Sequence, residues 1–164
     1  MWNMPKITPF LWFNDQAEEA ARFYTSIFKN SQVIETTLCG NAGPGPVGSV
    51  LSVSFVLDGQ HFIALNGGPH FTFNEAISLF VTCEDQREID ELWEILSEGG
   101  EKRECGWVKD RFGISWQIVP AMLGPMLHDK DPEKSGRVMQ ALWQMAKLDV
   151  AGLRRAYDGS QEEL

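Results

Sequence analysis

The chain is poor in the residues that build metal centres and covalent staples. It has three cysteines and three histidines. Cys39, Cys83 and Cys105 form no C-x-x-C pair and are odd in number. That excludes a disulfide framework and a zinc knuckle, and it suits reduced structural thiols. His61, His70 and His128 stand too far apart for a paired-ligand motif. No apolar run approaches the roughly 18 residues of a membrane span. The first residues, "MWNMPKITPF", lack a charged segment leading into an apolar one, so no secretory signal is expected. Basic residues are also scarce: Lys and Arg total 14 against 23 Asp and Glu, a net charge of −9. Such a surface repels phosphate backbones, and nucleic acid is not an expected partner. A cytoplasmic protein without a membrane partner is the expectation. The one glycine-rich stretch, "GNAGPG" at 40–45, contains Pro44 and leads into a strand pattern. It is neither a phosphate-binding loop nor the strand-to-helix turn of a typical S-adenosylmethionine site. No Ser-His-Asp set is visible either.

What is present is a well-patterned α+β chain. Its 164 residues are 43% hydrophobic, enough for one buried core. Lys6–Phe13 is β-branched and aromatic and reads as a strand. Asn14-Asp15 signals a helix start, and Ala20, Phe23, Tyr24 and Ile27 put one apolar face on the segment that follows. Strand patterns cover Ser31–Leu38, Ser49–Leu57 and Gln60–Leu65. The last two are joined by Asp58-Gly59, the preferred two-residue hairpin turn, which pairs Phe55 with Phe62 and Val53 with Ala64.

The pattern then restarts. Ala76–Thr82 is a strand, and "EDQREIDELWEIL" is a helix with Ile89, Leu92, Trp93 and Leu96 on one face. Glu101–Cys105, Gly106–Lys109 and Ile114–Pro120 read as three short strands. Asp15-Gln16 recurs as Asp85-Gln86, and the order strand, helix, strand, strand, strand appears twice with a period of 70 residues. The expected organisation is a domain over 1–121, with unit one at about 5–68 and unit two at about 74–121. A helical tail over 122–164 follows, packed on the domain or on a dimer partner. In the tail Asp131 can cap a helix with Pro132 in its first turn, Val138, Leu142, Met145 and Ala146 form a stripe, and Asp149 can cap a second helix.

Four segments carry a family likeness: "PFLWFNDQAEEAARFYTSIF", "FVTCEDQREIDELWEILSEGG", "CGWVKDRFGISWQIVP" and "MAKLDVAGLRRAYDG". They resemble the PhnB-like branch of the vicinal-oxygen-chelate superfamily, whose domain name is 3-demethylubiquinone-9 3-methyltransferase. The superfamily includes glyoxalase I, bleomycin-resistance proteins and extradiol dioxygenases. The resemblance implies two tandem βαβββ units forming a cup around a ligand; the apolar stripe of the tail, Val138, Leu142 and Met145, adds the expectation of a homodimer.

Metal-dependent relatives in the superfamily carry His or Glu near the first and fourth strands of each unit. Laid on this sequence, those places fall on Thr8, Asn66, Ala76 and Gln117, with Glu75 nearby. None of the four is a carboxylate or an imidazole, so no full metal site and no cofactor is expected. Strand alternation puts Ser115, Gln117 and Val119 on one face of "ISWQIVP" and Ile114, Trp116 and Ile118 on the other. The apolar face suits a helix, which turns Gln117 toward the ligand side. The expected ligand-binding set is Gln117, Asn66, Trp107, Ser115, Thr8 and His70, with no catalytic residue identifiable. The expected function is binding or transforming a small organic molecule. A glyoxalase-type lyase or dioxygenase, and a methyltransferase, are the alternatives.

Overall fold

A computed structural model describes residues 4–160 of the chain. The described residues fall into two compact units, divided between Phe73 and Asn74. In the first, strand β1 (Phe10–Phe13) leads into helix α1 (Ala17–Ile27), then β2 (Gln32–Leu38), β3 (Val50–Leu57) and β4 (Gln60–Asn66). In the second, β5 (Ser78–Cys83) leads into α2 (Gln86–Ser97), then β6 (Glu101–Lys102), β7 (Trp107–Lys109) and β8 (Ser115–Pro120). Each unit is one four-stranded sheet, ordered β1-β4-β3-β2 and β5-β8-β7-β6. The first strand of each pairs with the fourth in parallel, and the remaining pairs are antiparallel.

In both units the helix covers one sheet face; the face turned away from it is the more open one, although Ser115 and Val119 are buried on it in the second unit. Val53, Phe55, Phe62 and Ala64 are buried with Ala17, Ala20, Ala21 and Tyr24 of α1. In the second unit Val108, Trp116 and Ile118 are buried with Ile89, Leu92, Trp93 and Leu96 of α2. Burying a side chain of this size contributes about 1.5–3 kcal/mol, so alternation in the strands and the helical stripe fix the layering together. The Asp58-Gly59 turn has positive φ at both residues, 44° and 82°, as its hairpin type demands. Phe55 opposes Phe62 and Val53 opposes Ala64.

Four local expectations are corrected. The first strand begins at Phe10 rather than Lys6, because Pro5 and Pro9 offer no N–H to a ladder. Neither Asn14 nor Asp15 caps α1: Gln16 holds the cap position without a side-chain bond, and Asn66 of β4 accepts from the Ala17 N–H at 2.8 Å. The strand expected over 101–105 shrinks to two residues, since Cys105 and Gly106 turn the chain with φ of 57° and 81°. The tail helix stops at Trp143, so Met145 and Ala146 are not helical. Their carbonyls accept from the N–H groups of Cys105 and Gly106, both at 2.8 Å.

The tail consists of α3 (Leu123–Leu127), α4 (Pro132–Trp143) and α5 (Val150–Asp158). Asp131 and Asp149 cap α4 and α5 through Glu133 N–H and Ala151 N–H. Val138, Leu148 and Leu153 close on Val119 and Leu123 in one buried cluster. Gln86 pins this arrangement by donating to the Leu148 carbonyl at 3.0 Å and accepting from Val150 N–H at 2.7 Å. Lys147 adds an ion pair with Asp90 at 2.9 Å. No described helix is long and apolar enough to cross a membrane.

Candidate functional site: the open sheet faces

The offset of 70 residues between Asp15-Gln16 and Asp85-Gln86 places Phe10 level with Phe80. Phe10 pairs with Ile63, and Phe80 pairs with Gln117. Ile63, not Asn66, is therefore the counterpart of Gln117. The same offset makes Ser78, not Ala76, the counterpart of Thr8. Across each sheet the row continues to Ser54 in the first unit and to Trp107 in the second.

The second unit's open face carries two polar rows. Phe80, Gln117 and Trp107 make one; Ser78, Ser115 and Lys109 make the other. Gln117 is half-buried and donates through Nε2 to Ser78 Oγ at 2.9 Å. Its Oε1 accepts no hydrogen bond, and the Ser78 hydroxyl donates none, among the described residues. Ser115 is 1% exposed, and its Oγ is buried without a hydrogen-bond partner. Phe80 is 58% exposed, an aromatic ring displayed beside Gln117. Beyond Gln117 the row at Val119 is closed by the tail cluster.

The remaining expected residues separate. Asn66 is committed to backbone: Oδ1 accepts from Ala17 N–H and Nδ2 donates to the Val50 carbonyl at 3.0 Å. Thr8 donates to the Pro5 carbonyl at 3.2 Å. His70 is exposed in the loop after β4, beside Trp12, whose indole N–H donates to the Gly68 carbonyl at 3.0 Å. That indole lies so close over Gly67 that an added Cβ would meet its ring at 2.2 Å, which explains the glycine there. The structure thus brings Gln117, Ser115 and Trp107 onto one sheet face in the second unit, while Asn66, Thr8 and His70 lie in the first. Sequence reading missed Ser78, Phe80 and Lys109. Alternation along "SLFVT" and "WVK" would have found them once the register to Gln117 was known.

Asp110, also missed, is 2% exposed and structural. Its carboxylate accepts from the N–H groups of Phe112 and Ile114 and from the Trp116 indole, at 2.8–3.0 Å. It shapes the turn between β7 and β8 and fixes Trp116 on the helix side, so Gln117 must face the other way.

The donor set does not fit a catalytic metal. Positions 8, 63, 66, 76, 78 and 117 carry Thr, Ile, Asn, Ala, Ser and Gln. Among the described residues no three of His, Cys, Asp and Glu gather closely enough to hold an ion. Glu75 is bound to Arg103, whose guanidinium lowers its carboxyl below the ordinary range and also bonds Glu101 at 3.0 Å. Cys83 is buried, and desolvation pushes its thiol up to about 12, so it is no nucleophile.

Two tandem βαβββ units, each an open sheet under one helix, define a protein of the vicinal-oxygen-chelate fold. The chain belongs to the 3-demethylubiquinone-9 3-methyltransferase family, the PhnB-like branch, whose model matches residues 5–119. A PhnB protein from Bacillus cereus with the same methyltransferase description is 38% identical; the match covers 71% of this chain and 100% of that one, with a TM-score of 0.65. A Staphylococcus aureus protein is 36% identical, covering 71% and 96%, with a TM-score of 0.34. Protein PA1353 from Pseudomonas aeruginosa is 20% identical, covering 71% and 98%, with a TM-score of 0.59. No curated protein matches the sequence.

Proposed function

We propose that this protein binds a small organic molecule on the open face of the second unit's sheet, with Gln117 as its central polar contact and without a full metal site. The observation that carries the reading is the half-buried Gln117–Ser78 pair, which leaves Gln117 Oε1 as an acceptor without a protein partner in the row of Phe80 and Trp107. A few polar groups set among aromatic side chains are the usual composition of a small-molecule site. Asn66 and Glu75 are withdrawn from it by their own partners.

Methyl transfer, which the family description names, finds no matching feature in the chain. The 40–45 stretch is a loop leading to β3, and no helix begins there. Binding, or a weak transformation of the bound molecule, fits the residues better. The protein is proposed to act in the cytoplasm as a homodimer. Its exposed Met139 and Trp143, one turn apart on α4 with Trp143 65% exposed, suit a subunit contact.

The test is a thermal-shift screen of a small-metabolite library on the wild type and on Gln117→Leu, with elemental analysis of the purified protein. Compounds that raise the melting temperature of the wild type alone support the reading. Hits that stabilise both proteins alike, or about one zinc, nickel or iron per chain, would overturn it.

A further inference from the structure

We infer that the molecule bound on this face is a planar organic carboxylate, its anionic end held by Lys109 and Ser115. The inference rests on the proposed site at Gln117 and names the class of ligand that it takes.

Lys109 and Ser115 are register partners across β7 and β8, on the same face as Gln117 and Trp107. Such partners hold their Cβ atoms about 4.5–5.5 Å apart, within reach of one carboxylate. Charge bookkeeping on the face singles out Lys109. Two carboxylates stand nearby, Glu101, which pairs with Lys109 across β6 and β7, and Glu75. Both are bonded to Arg103. Half-buried Lys109 makes no direct ion pair among the described residues, and it acts on the Glu75 carboxylate only through space, behind the hydrogen bond from Arg103.

Ser115 supplies the second, independent observation. Ser115 Oγ is buried with no partner, and a ligand acceptor that reaches it would satisfy it. Ammonium and hydroxyl are both donors, and two donors on register-paired residues suit an anion. The first unit has Val56 and His61 at these two places, and no ammonium.

The shape of the ligand follows from the neighbouring row. Gln117 lies two residues beyond Ser115, about 7 Å along the strand. Its free Oε1 requires a donor on the ligand at that distance from the carboxylate. Phe80 and Trp107 flank Gln117, and their ring faces favour a flat, unsaturated body over a branched one.

The probes are 3-hydroxybenzoate and its neutral amide, 3-hydroxybenzamide. Both are titrated into nitrogen-15-labelled full-length protein, and dissociation constants are read from amide shifts at residues 107–109 and 115–117. The acid should bind the wild type about tenfold more tightly than the amide, one charge-assisted contact's worth. Lys109→Met should abolish that preference by weakening the acid alone. Ser115→Ala should weaken the acid severalfold without lowering the melting temperature, since the hydroxyl has no partner to lose. Gln117→Leu should weaken both probes.

If the amide binds as well as the acid and Gln117→Leu weakens both, the carboxylate inference falls and the site stands. If both bind with shifts at these residues that Gln117→Leu leaves unchanged, the site reading itself falls. A preference for the acid that survives Lys109→Met, or no binding by either probe at millimolar concentration, overturns the inference.

Discussion

The two units have one backbone plan and different chemistry on it. In the first, Phe10, Ile63 and Ser54 form the central row of the open face, with His61 and Val56 below it. In the second, the same places hold Phe80, Gln117, Trp107, Ser115 and Lys109. His61 Nδ1 and Ser115 Oγ, the buried side-chain atoms without partners among the described residues, occupy equivalent positions. The helix-facing layer hardly differs: both units bury aliphatic and aromatic side chains there. The fold is therefore carried by the helix-covered faces, and the difference between units sits on the faces turned away from the helices. The second unit is also the anchored one, because Gln86 grips the tail while its counterpart Gln16 makes no side-chain cap.

The sharpest test of that asymmetry is at the hairpin turns. Asp110→Ala removes a buried carboxylate and leaves two backbone N–H groups and the Trp116 indole without their acceptor. It should cost about 3 kcal/mol or more in urea unfolding. Asp58→Ala, in an exposed turn, should cost about 1 kcal/mol, the worth of an unfavourable positive φ. Equal losses would show that the two turns are alike in role.

Next is the tail. Gln86→Ala should cost about 1–3 kcal/mol and speed amide exchange over 145–153, because two backbone groups lose their partner. Gln16→Ala should change neither measurement beyond about 0.5 kcal/mol. If the tail stays as protected in the Gln86 variant, the hydrophobic cluster alone holds it.

The smallest effect is electrostatic. Arg103 holds the Glu75 carboxyl below its ordinary value of 4.5. A lowered folded pKa means stability that is present above the ordinary carboxylate range and lost as pH falls through the folded value. Glu75 is exposed, so the effect is small and screened by salt. A carbon-13 titration should find the Glu75 midpoint below the ordinary value, rising toward it in Arg103→Met. An unshifted midpoint in the wild type would remove the ion pair from the account.

Much of this architecture was legible in the sequence because it depends on periodicity. The helical stripes of α1 and α2, the Asp-Gly hairpin and the duplicated order follow from apolar spacing and turn chemistry alone. The orientation of Gln117 was legible for the same reason, since Trp116 and Ile118 had to face a helix. What was illegible depends on register between distant strands. Asn66 looks like a site residue until its pairing with Phe13 turns it toward the start of α1. Ser78 and Gln117 are 39 residues apart, and no local pattern links them. The closing of Val119 under the tail is a tertiary event of the same kind.

The central claim, that Gln117 serves a ligand and not the core, is tested most directly by measuring Gln117→Leu twice. Urea unfolding gives its stability, and titration with 3-hydroxybenzoate or a compound from the screen gives its affinity. The account predicts a stability change under about 1.5 kcal/mol, because Leu fills the same volume on a half-buried face, and an affinity loss of about tenfold or more. A badly destabilised protein that binds as tightly as the wild type would contradict it, and would make Gln117 a structural amide held by Ser78.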